Sequence, residues 1–510
     1  MPPTSISQAT QLLEAFVGAL RDEIAAAKSA KGDSVTSLTD GRRTQQGSDH
    51  AIYTFLMERP VAASDDVPVE LEVGGRRYKG SVLYANGEEL VLIVHSRQDL
   101  GSEITHAGLV SNLAFLPQRL RDRLELVHDG REAVDMSLAM QVFAPQSASA
   151  MRFEPSELPA LAPGPAMNAS QHQAACAAQT HPVSFVWGPP GTGKTVTLAR
   201  IAEAFLRRGM RVLVVAHSNV AVDEAAADIA ALLHDTPWYQ NREILRLGHY
   251  RNEALEQYDR ILFDRYAETI AHRLGSDREA AAEAQRLIID RARVLCTTLT
   301  QTFVSGLFPE TPFDVCLVDE ASMAPLPYLW WALTRAHSHA SLCGDFLQLP
   351  PVALARTAAA RRWLGRNIYQ HLGITTPGHA RNDPRVFLLN TQYRMHPRIA
   401  GIPNLLFYDG LLSSDPSTAD RLDAAAKPLL LVDTSHAGAW CVRLARGSRL
   451  NLHSAHVATT LAHRFAGTPP AAGRVAIITP YAAQARLLGA FISDLGLARA
   501  VRVATVHRFQ

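Results

Sequence analysis

The chain has 510 residues, 47% of them apolar and 19% charged, and a net charge of +1. That is material for about three buried cores, excludes a disordered tail, and leaves no global basic field, so a polyanion has to be met by a local groove. The five cysteines (Cys176, Cys296, Cys316, Cys343, Cys441) form no CxxC pair and no ligand-like spacing to histidine, which argues against structural zinc and for a reducing compartment.

The start, MPPTSISQATQLLEAF, lacks the basic segment and apolar run of a secretory signal. No run of about 18 apolar residues is present, so the expectation is a soluble, cytoplasmic protein without membrane contact. Ile6, Ala9, Leu12, Leu13, Phe16, Val17, Leu20 and Ile24 recur at helical spacing, with Thr4 or Ser5 as cap. A polar stretch, SAKGDSVTSLTDGRRTQQGSDH, follows and reads as a linker, giving a first region of 1–50. The period then changes. AIYTFLME, VPVELEV, RRYKGSVLYA and ELVLIVH are short β-rich runs separated by Gly74-Gly75 and Asn86-Gly87, both hairpin signals. A small antiparallel meander or barrel is expected there, closed by the helical LVSNLAFLPQRLRDRLELV, so that 51–143 form one accessory unit. Prolines mark 144–167 as a second linker.

From residue 183 apolar strands alternate with helices: VSFVW, RVLVVAH, RVLCTT, VCLVDE and SLCGD, then RVFLLN, PLLLVD, RVAIITP and VRVATV. Short continuous apolar strands between helices predict α/β units with parallel sheets covered on both faces. Two such units are expected, 168–383 and 384–510, the first carrying a helical insertion over 251–293.

Between strand VSFVW and helix TVTLARIAEAFLRRG lies GPPGTGKT, a GxxxxGK[ST] loop: Gly188, Pro189, Pro190, Gly191, Thr192, Gly193, Lys194 and Thr195. Its backbone N–H groups suit phosphate oxygens at a helix N-terminus. Lys194 is placed for the β- and γ-phosphates of a nucleoside triphosphate and Thr195 for Mg²⁺. VCLVDEAS ends a strand, read as a neighbour of the P-loop strand, with Asp319 on the metal side and Glu320 able to activate water. Taken alone, three further positions stay open. Gln348 in GDFLQLPPV is either a γ-phosphate sensor or a turn residue. Tyr393 and Arg394 in QYRMHP are a base-stacking ring and a charge-stabilising arginine, or a core tyrosine and a surface arginine. Gln171 in MNASQHQAA reads an adenine edge or caps a helix.

NASQHQAA, GPPGTGKT, VVAHSNVAVDE, VLCTT, VDEAS, GDFLQLPPV, QYRMHP, ITPYAAQ and TVHRFQ occur in the order found in superfamily 1 helicases. The chain resembles, over about residues 168 to 510, the branch containing the nonsense-mediated-decay RNA helicase and the Okazaki-fragment helicase–nuclease. The resemblance implies two tandem RecA-like P-loop domains and an N-terminal β-barrel on a helical stalk. It implies that Gln171 contacts and Tyr393 stacks on the adenine, and that Glu320 is the catalytic base. Gln348 and Arg394 would then touch the γ-phosphate. Ser218, Asn219, Thr297, Thr298, Thr479, Pro480, Tyr481 and Thr505 would line a groove for single-stranded RNA or DNA, by small groups suited to phosphate and sugar. It further implies 5′→3′ travel by a monomer whose two lobes close on ATP. His507 stands where many relatives have Asp, and the family pattern continues past Gln510 with another strand and a further arginine. The second domain is therefore expected to be cut short and the chain's own turnover weak. A competing expectation is a nucleotide-gated clamp that binds a strand without unwinding. A metabolic P-loop kinase would leave GDFLQLPP, QYRMHP and ITPY unexplained.

Overall fold

The helical repeat near the N-terminus forms α1 (Pro3–Ala30) in a computed structural model that describes residues 3–30, 36–47, 50–57, 65–86, 89–96, 98–143, 158–161, 163–164, 166–274, 278–309, 311–421, 428–437, 440–444, 448–466 and 475–506. Most of the expected 144–167 linker, Gly87, His507 and Gln510 lie outside the described residues. Leu13, Phe16, Leu20 and Ile24 are the buried stripe of α1. Phe16 meets Phe143, Trp330 and Trp363 edge-on at centroid distances of 5.9, 6.2 and 5.2 Å, a favoured geometry for aromatic pairs. Glu23 accepts the backbone N–H groups of Leu354 and Ala355 at 2.8 and 2.9 Å. The helix α2 (Phe115–His128) packs along α1. Among the described residues no helix is long and apolar enough to cross a membrane.

The β-rich region closes into a six-stranded antiparallel barrel of β1 (Thr36–Gln46), β2 (His50–Met57), β3 (Pro68–Val73), β4 (Arg76–Asn86), β5 (Glu89–His95) and β6 (Glu103–Ser111), in the order β1-β2-β5-β4-β3-β6. Alternation drives it: Ala51, Tyr53, Phe55 and Met57 of β2 all point inward. Gly74 and Gly75 join β3 to β4 with φ of +58° and +76°, as a two-residue hairpin turn with both central residues left-handed requires. Two expectations need correction. The supposed polar linker before residue 50 contains β1, which pairs with both β2 and β6. A barrel strand needs one apolar face only, and Leu38 and Gly41 suffice on that side of β1. Likewise the run that begins LVS is strand β6 before it becomes helix α2.

The first α/β unit is a seven-stranded parallel sheet. Its strands are β7 (Val183–Trp187), β8 (Val212–Ala216), β9 (Ile244–Arg246), β10 (Val294–Thr298), β11 (Phe313–Val318), β12 (Ala336–Gly344) and β13 (Val386–Leu388). They run in the order β13-β7-β12-β11-β8-β10-β9. Every residue of β7, β8 and β10 is buried, as strands covered on both faces must be. The helices α4 (Ala169–Thr180), α5 (Lys194–Arg207) and α6 (Asn219–Leu233), numbered after the short α3 (Ser137–Phe143), supply much of that cover. Cys296, Cys316 and Cys343 are core residues of this sheet. The insertion over 251–293 is helical, at Phe263–Leu274 and Arg278–Arg291, with a 3₁₀ stretch over Glu253–Ile261. The architecture is thus α/β, with a RecA-like parallel sheet and an N-terminal antiparallel barrel.

Three differences bear on the site. The P-loop strand β7 and the Asp-Glu strand β11 are next-but-one, with β12 between them, rather than neighbours. RVFLLN, assigned to the second unit from residue 384, supplies the edge strand β13 of the first sheet beside β7. PLLLVD forms no strand, and Leu430 and Leu431 are exposed. By its contacts the chain divides into two units, 1–33 with 65–67 and 112–428, and 34–64 with 68–111 and 429–510. Within the latter, Val475–Thr479 pairs in parallel with Val501–Thr505, flanked by helices Leu452–Ala466 and Ala482–Asp494 over a small core of Ala462, Ile492 and Val501.

Candidate functional site

The expected functional residues of the first sheet gather at the carboxyl ends of its strands, where open parallel sheets place their ligand crevices. Gly191 and Gly193 have φ of +79° and +78°, the left-handed region that glycine enters without strain. Space is also short. A Cβ on Gly191 would stand 2.5 Å from the Cβ of Arg394, and one on Gly193 would stand 2.7 Å from the Gln171 amide nitrogen. The loop delivers Lys194 to the start of α5, where its Nζ lies 3.5 Å from Glu320 Oε1. Burial alone would lower the Lys194 pKa, but Glu320, Asp319 and Asp345 outweigh it and raise the pKa, keeping the ammonium charged. Thr195 Oγ1 donates to Asp319 Oδ2 at 3.3 Å, closing the gap across the intervening strand. Burial pushes the Asp319 carboxyl up to about 7, with Glu320 adding to the rise and Lys194 opposing it. Glu320 itself is a non-glycine residue at φ +47°. Such backbone costs about 1–3 kcal/mol and collects at functional sites.

Gln171 and Tyr393 meet through one residue that sequence reasoning missed. Asn168 caps α4 and forms a reciprocal capping box with Gln171, and its Nδ2 donates to Tyr393 Oη at 2.7 Å. The Gln171 amide also donates to the Thr192 carbonyl at 3.1 Å, so its helix-capping reading is realised while it lies against the P-loop. The signal was present as the N-x-x-Q spacing of a cap. The Tyr393 N–H donates to the Gly191 carbonyl at 2.8 Å. Gln392 shapes that turn, accepting from the N–H groups of Arg394 and Met395 at 2.9 and 2.7 Å. Arg394 is exposed. The carboxyl of Glu224 on α6 is raised by desolvation first and by Glu320 next, while Arg394 acts the other way. Glu224, Glu320 and Arg394 therefore share one electrostatic neighbourhood.

Gln348 is held by a fully buried hub, Asp345. Its Oδ2 accepts from Gln348 Nε2 at 2.9 Å and from Tyr408 Oη at 2.8 Å. Its Oδ1 accepts from Trp187 Nε1 and the Leu347 N–H, both at 3.1 Å. Neither Asp345 nor Tyr408 was singled out from the sequence, because their pairing spans 63 positions.

Of the residues expected to line a strand groove, the four on the first sheet lie at the ends of the paired strands β8 and β10 and are spent internally. Ser218 caps α6. Asn219 is buried; its N–H donates to Asp65 Oδ2 at 2.8 Å, and its side-chain oxygen accepts from Arg246 Nη2 at 2.7 Å. Thr297 donates to the Leu247 carbonyl at 3.1 Å, so its hydroxyl faces into the protein. Thr298 donates to Asp66 Oδ2 at 2.6 Å. Behind them Arg246 and Asp223 form a wholly buried ion pair at 2.9 Å, and Asp223 also accepts the Arg251 and Asn252 N–H groups at 2.6 and 3.1 Å. Thr479 and Thr505 are register partners at the ends of their paired strands, with Pro480 and Tyr481 following Thr479.

Two family descriptions, each "AAA domain", match this chain, one over residues 166–272 and 264–356 and the other over 376–510. DNA-binding protein SMUBP-2 of Rattus norvegicus is 30% identical over 365 residues, covering 61% of this chain and 35% of that protein. The ATP-dependent helicase upf1 of Schizosaccharomyces pombe is 28% identical over 377 residues, covering 68% of this chain and 40% of that protein. The chain thus spans well under half the length of these curated relatives. Among solved structures, an arterivirus nonstructural protein 10 helicase matches 73% of this chain and 59% of that chain, at 14% identity and a TM-score of 0.32.

Proposed function

This chain belongs to the superfamily 1 helicases, in the branch of the nonsense-mediated-decay RNA helicase, and from that premise we propose that it is an ATP-dependent translocase on single-stranded RNA or DNA. The observation that carries the reading is the four-residue constellation Lys194, Thr195, Asp319 and Glu320, with Thr195 to Asp319 at 3.3 Å and Lys194 to Glu320 at 3.5 Å. A charged, largely buried lysine opposite two carboxylates, beneath a loop whose glycines leave backbone N–H groups at a helix start, suits a triphosphate with its divalent ion. Thr195 and Asp319 would hold Mg²⁺, which when bound would supply charge that neutralises the phosphates.

In this reading Lys194 turns from Glu320 to the β- and γ-phosphates, freeing Glu320 to orient a water and take its proton. Gln348, fixed by Asp345, contacts the γ-phosphate. Arg394, whose turn packs against Gly191, stabilises charge on the transferring group. Gln171 and Tyr393 flank the base, joined by Asn168. On the first sheet the strand contacts are Ser218, Asn219 and Thr298, the Thr479–Tyr481 and Thr505 positions supply contacts of their own unit, and travel is 5′→3′ as in the branch the chain resembles. The test is strand-stimulated hydrolysis. Lys194→Ala should lose ATP binding. Glu320→Gln should keep Mg²⁺–ATP affinity while turnover falls about 10²–10⁴-fold, the usual worth of a general base. Wild-type turnover in Glu320→Gln would remove Glu320 from that role. Strand binding without displacement in the parent chain would favour a nucleotide-gated clamp.

A further inference from the structure

Two carboxylates from a distant part of the chain fill the strand end of β8 and β10. Asp65 Oδ2 accepts the Asn219 N–H, in the first turn of α6, at 2.8 Å. Asp66 Oδ2 accepts the hydroxyls of both Thr298 and Thr300 at 2.6 Å, and those two hydroxyl oxygens are 2.8 Å apart. These donors lie 154, 232 and 234 positions from the aspartates they hold. Asp66 adopts φ +68°, the left-handed region that Asp enters more readily than most non-glycine residues. Helix N-termini and paired hydroxyls are the donors that backbone phosphates use, and a carboxylate presents a similar charged acceptor.

We propose that Asp65 and Asp66 act as an internal stand-in for a nucleic-acid backbone. They occupy two phosphate seats, the Asn219 N–H and the Thr298–Thr300 hydroxyl pair, which a strand has to win by displacing the turn. The inference rests on the nucleic-acid reading above and adds Thr300 to its contacts. Burial, with Asp66 and Asp223 nearby, pushes the Asp65 carboxyl up to about 7, whereas the Asn219 N–H and Arg251 pull the other way. Burying its own ionised carboxyl therefore costs the docked turn free energy and leaves it open to displacement. A strand brings several phosphates at once and so competes by multivalency, where a single free anion does not.

The experiment measures anisotropy of labelled single-stranded oligo-dT and oligo-U on the whole chain and on Asp65→Ala/Asp66→Ala, with ATP affinity and melting temperature alongside. For a turn docked about nine-tenths of the time, removing it raises strand affinity about tenfold, with ATP affinity unchanged. A folded double variant that binds no tighter than a strand-binding parent overturns the proposal and leaves the nucleic-acid reading standing. If neither protein binds a strand, both fall. Hydrogen exchange on the unmodified chain covers a variant that fails to fold. Residues 65–67 should exchange faster once a strand saturates the protein, and unchanged protection there also overturns the proposal.

Discussion

The two ends of one sheet surface are in different conditions. At the P-loop end, Lys194, Glu320, Thr195 and Asp319 hold one another at 3.3–3.5 Å, contacts loose enough for an incoming phosphate to replace. At the strand end, Thr298 and the Asn219 N–H bond to aspartates at 2.6–2.8 Å, Thr300 joins them, and Thr297 is turned inward. Both ends sit on strand termini of the same sheet, so the fold alone does not explain the contrast. The difference lies in a short segment, residues 65–67, that belongs with the first unit although the barrel strands lie on either side of it in sequence. It suggests that nucleotide entry is limited by chemistry and strand entry by competition.

The largest expected effect would break the nucleotide side of that contrast. Arg394→Ala should slow hydrolysis by about 10³–10⁵, the range for an arginine on a transferring phosphoryl group, with ATP affinity little changed. A variant that loses affinity but not rate would put Arg394 outside the γ-phosphate shell. Next in size is the support behind the strand end. Arg246→Met leaves the buried Asp223 with the Arg251 and Asn252 N–H groups but without its ion-pair partner, and removing one partner of such a pair costs about 3–5 kcal/mol. Urea unfolding measures this. Because Arg246 also holds the Asn219 side chain, strand affinity should fall while ATP affinity holds, and equal losses in both would erase the distinction between the ends.

A pH series sharpens the same contrast. Burial pushes the docked Asp65 carboxyl up to about 7 from an ordinary 3.8; of the groups that face it, the Asn219 N–H and Arg251 lower it and Asp66 and Asp223 raise it. The docked state therefore holds its proton more tightly than the undocked one. Its stability is full below about pH 4 and is lost as pH rises through about 7. Protection of the Asn219 amide, corrected for intrinsic exchange, should fall across that window, and a flat profile would remove the charge cost from the seat.

How much of this was legible in the sequence depended on sequence distance. GPPGTGKT and VDEAS are contiguous, and each carries its own flanking strand, so the nucleotide end could be named residue by residue. The strand-end positions could be expected from their motifs, but their hydrogen-bond partners could not. Nothing periodic in the chain connects Asp65 to Asn219 or Asp66 to Thr298. β1 escaped notice because a closed barrel asks for one apolar face, which Leu38 and Gly41 fill within an otherwise polar run. β13 was assigned to the wrong sheet because an apolar strand carries no mark of its partner; only pairing with β7 reveals it.

The smallest effect concerns how the two conditions communicate within the nucleotide end. Tyr408 follows the helix Pro397–Phe407, which itself follows the Arg394 turn, and its hydroxyl reaches the same Asp345 oxygen that holds Gln348. Tyr408→Phe removes one hydrogen bond to a buried carboxylate, worth about 1.5–3 kcal/mol. Trp187, Leu347 and Gln348 still satisfy Asp345, so the loss should sit near the lower figure. If Asp345 is the joint between Gln348 and the Arg394 segment, kcat should fall several-fold with KM for ATP unmoved, because a loosened sensor affects the reacting phosphate more than the bound base. A variant that loses stability with kcat intact would make the tyrosine a core contact and leave Gln348 positioned by its own turn.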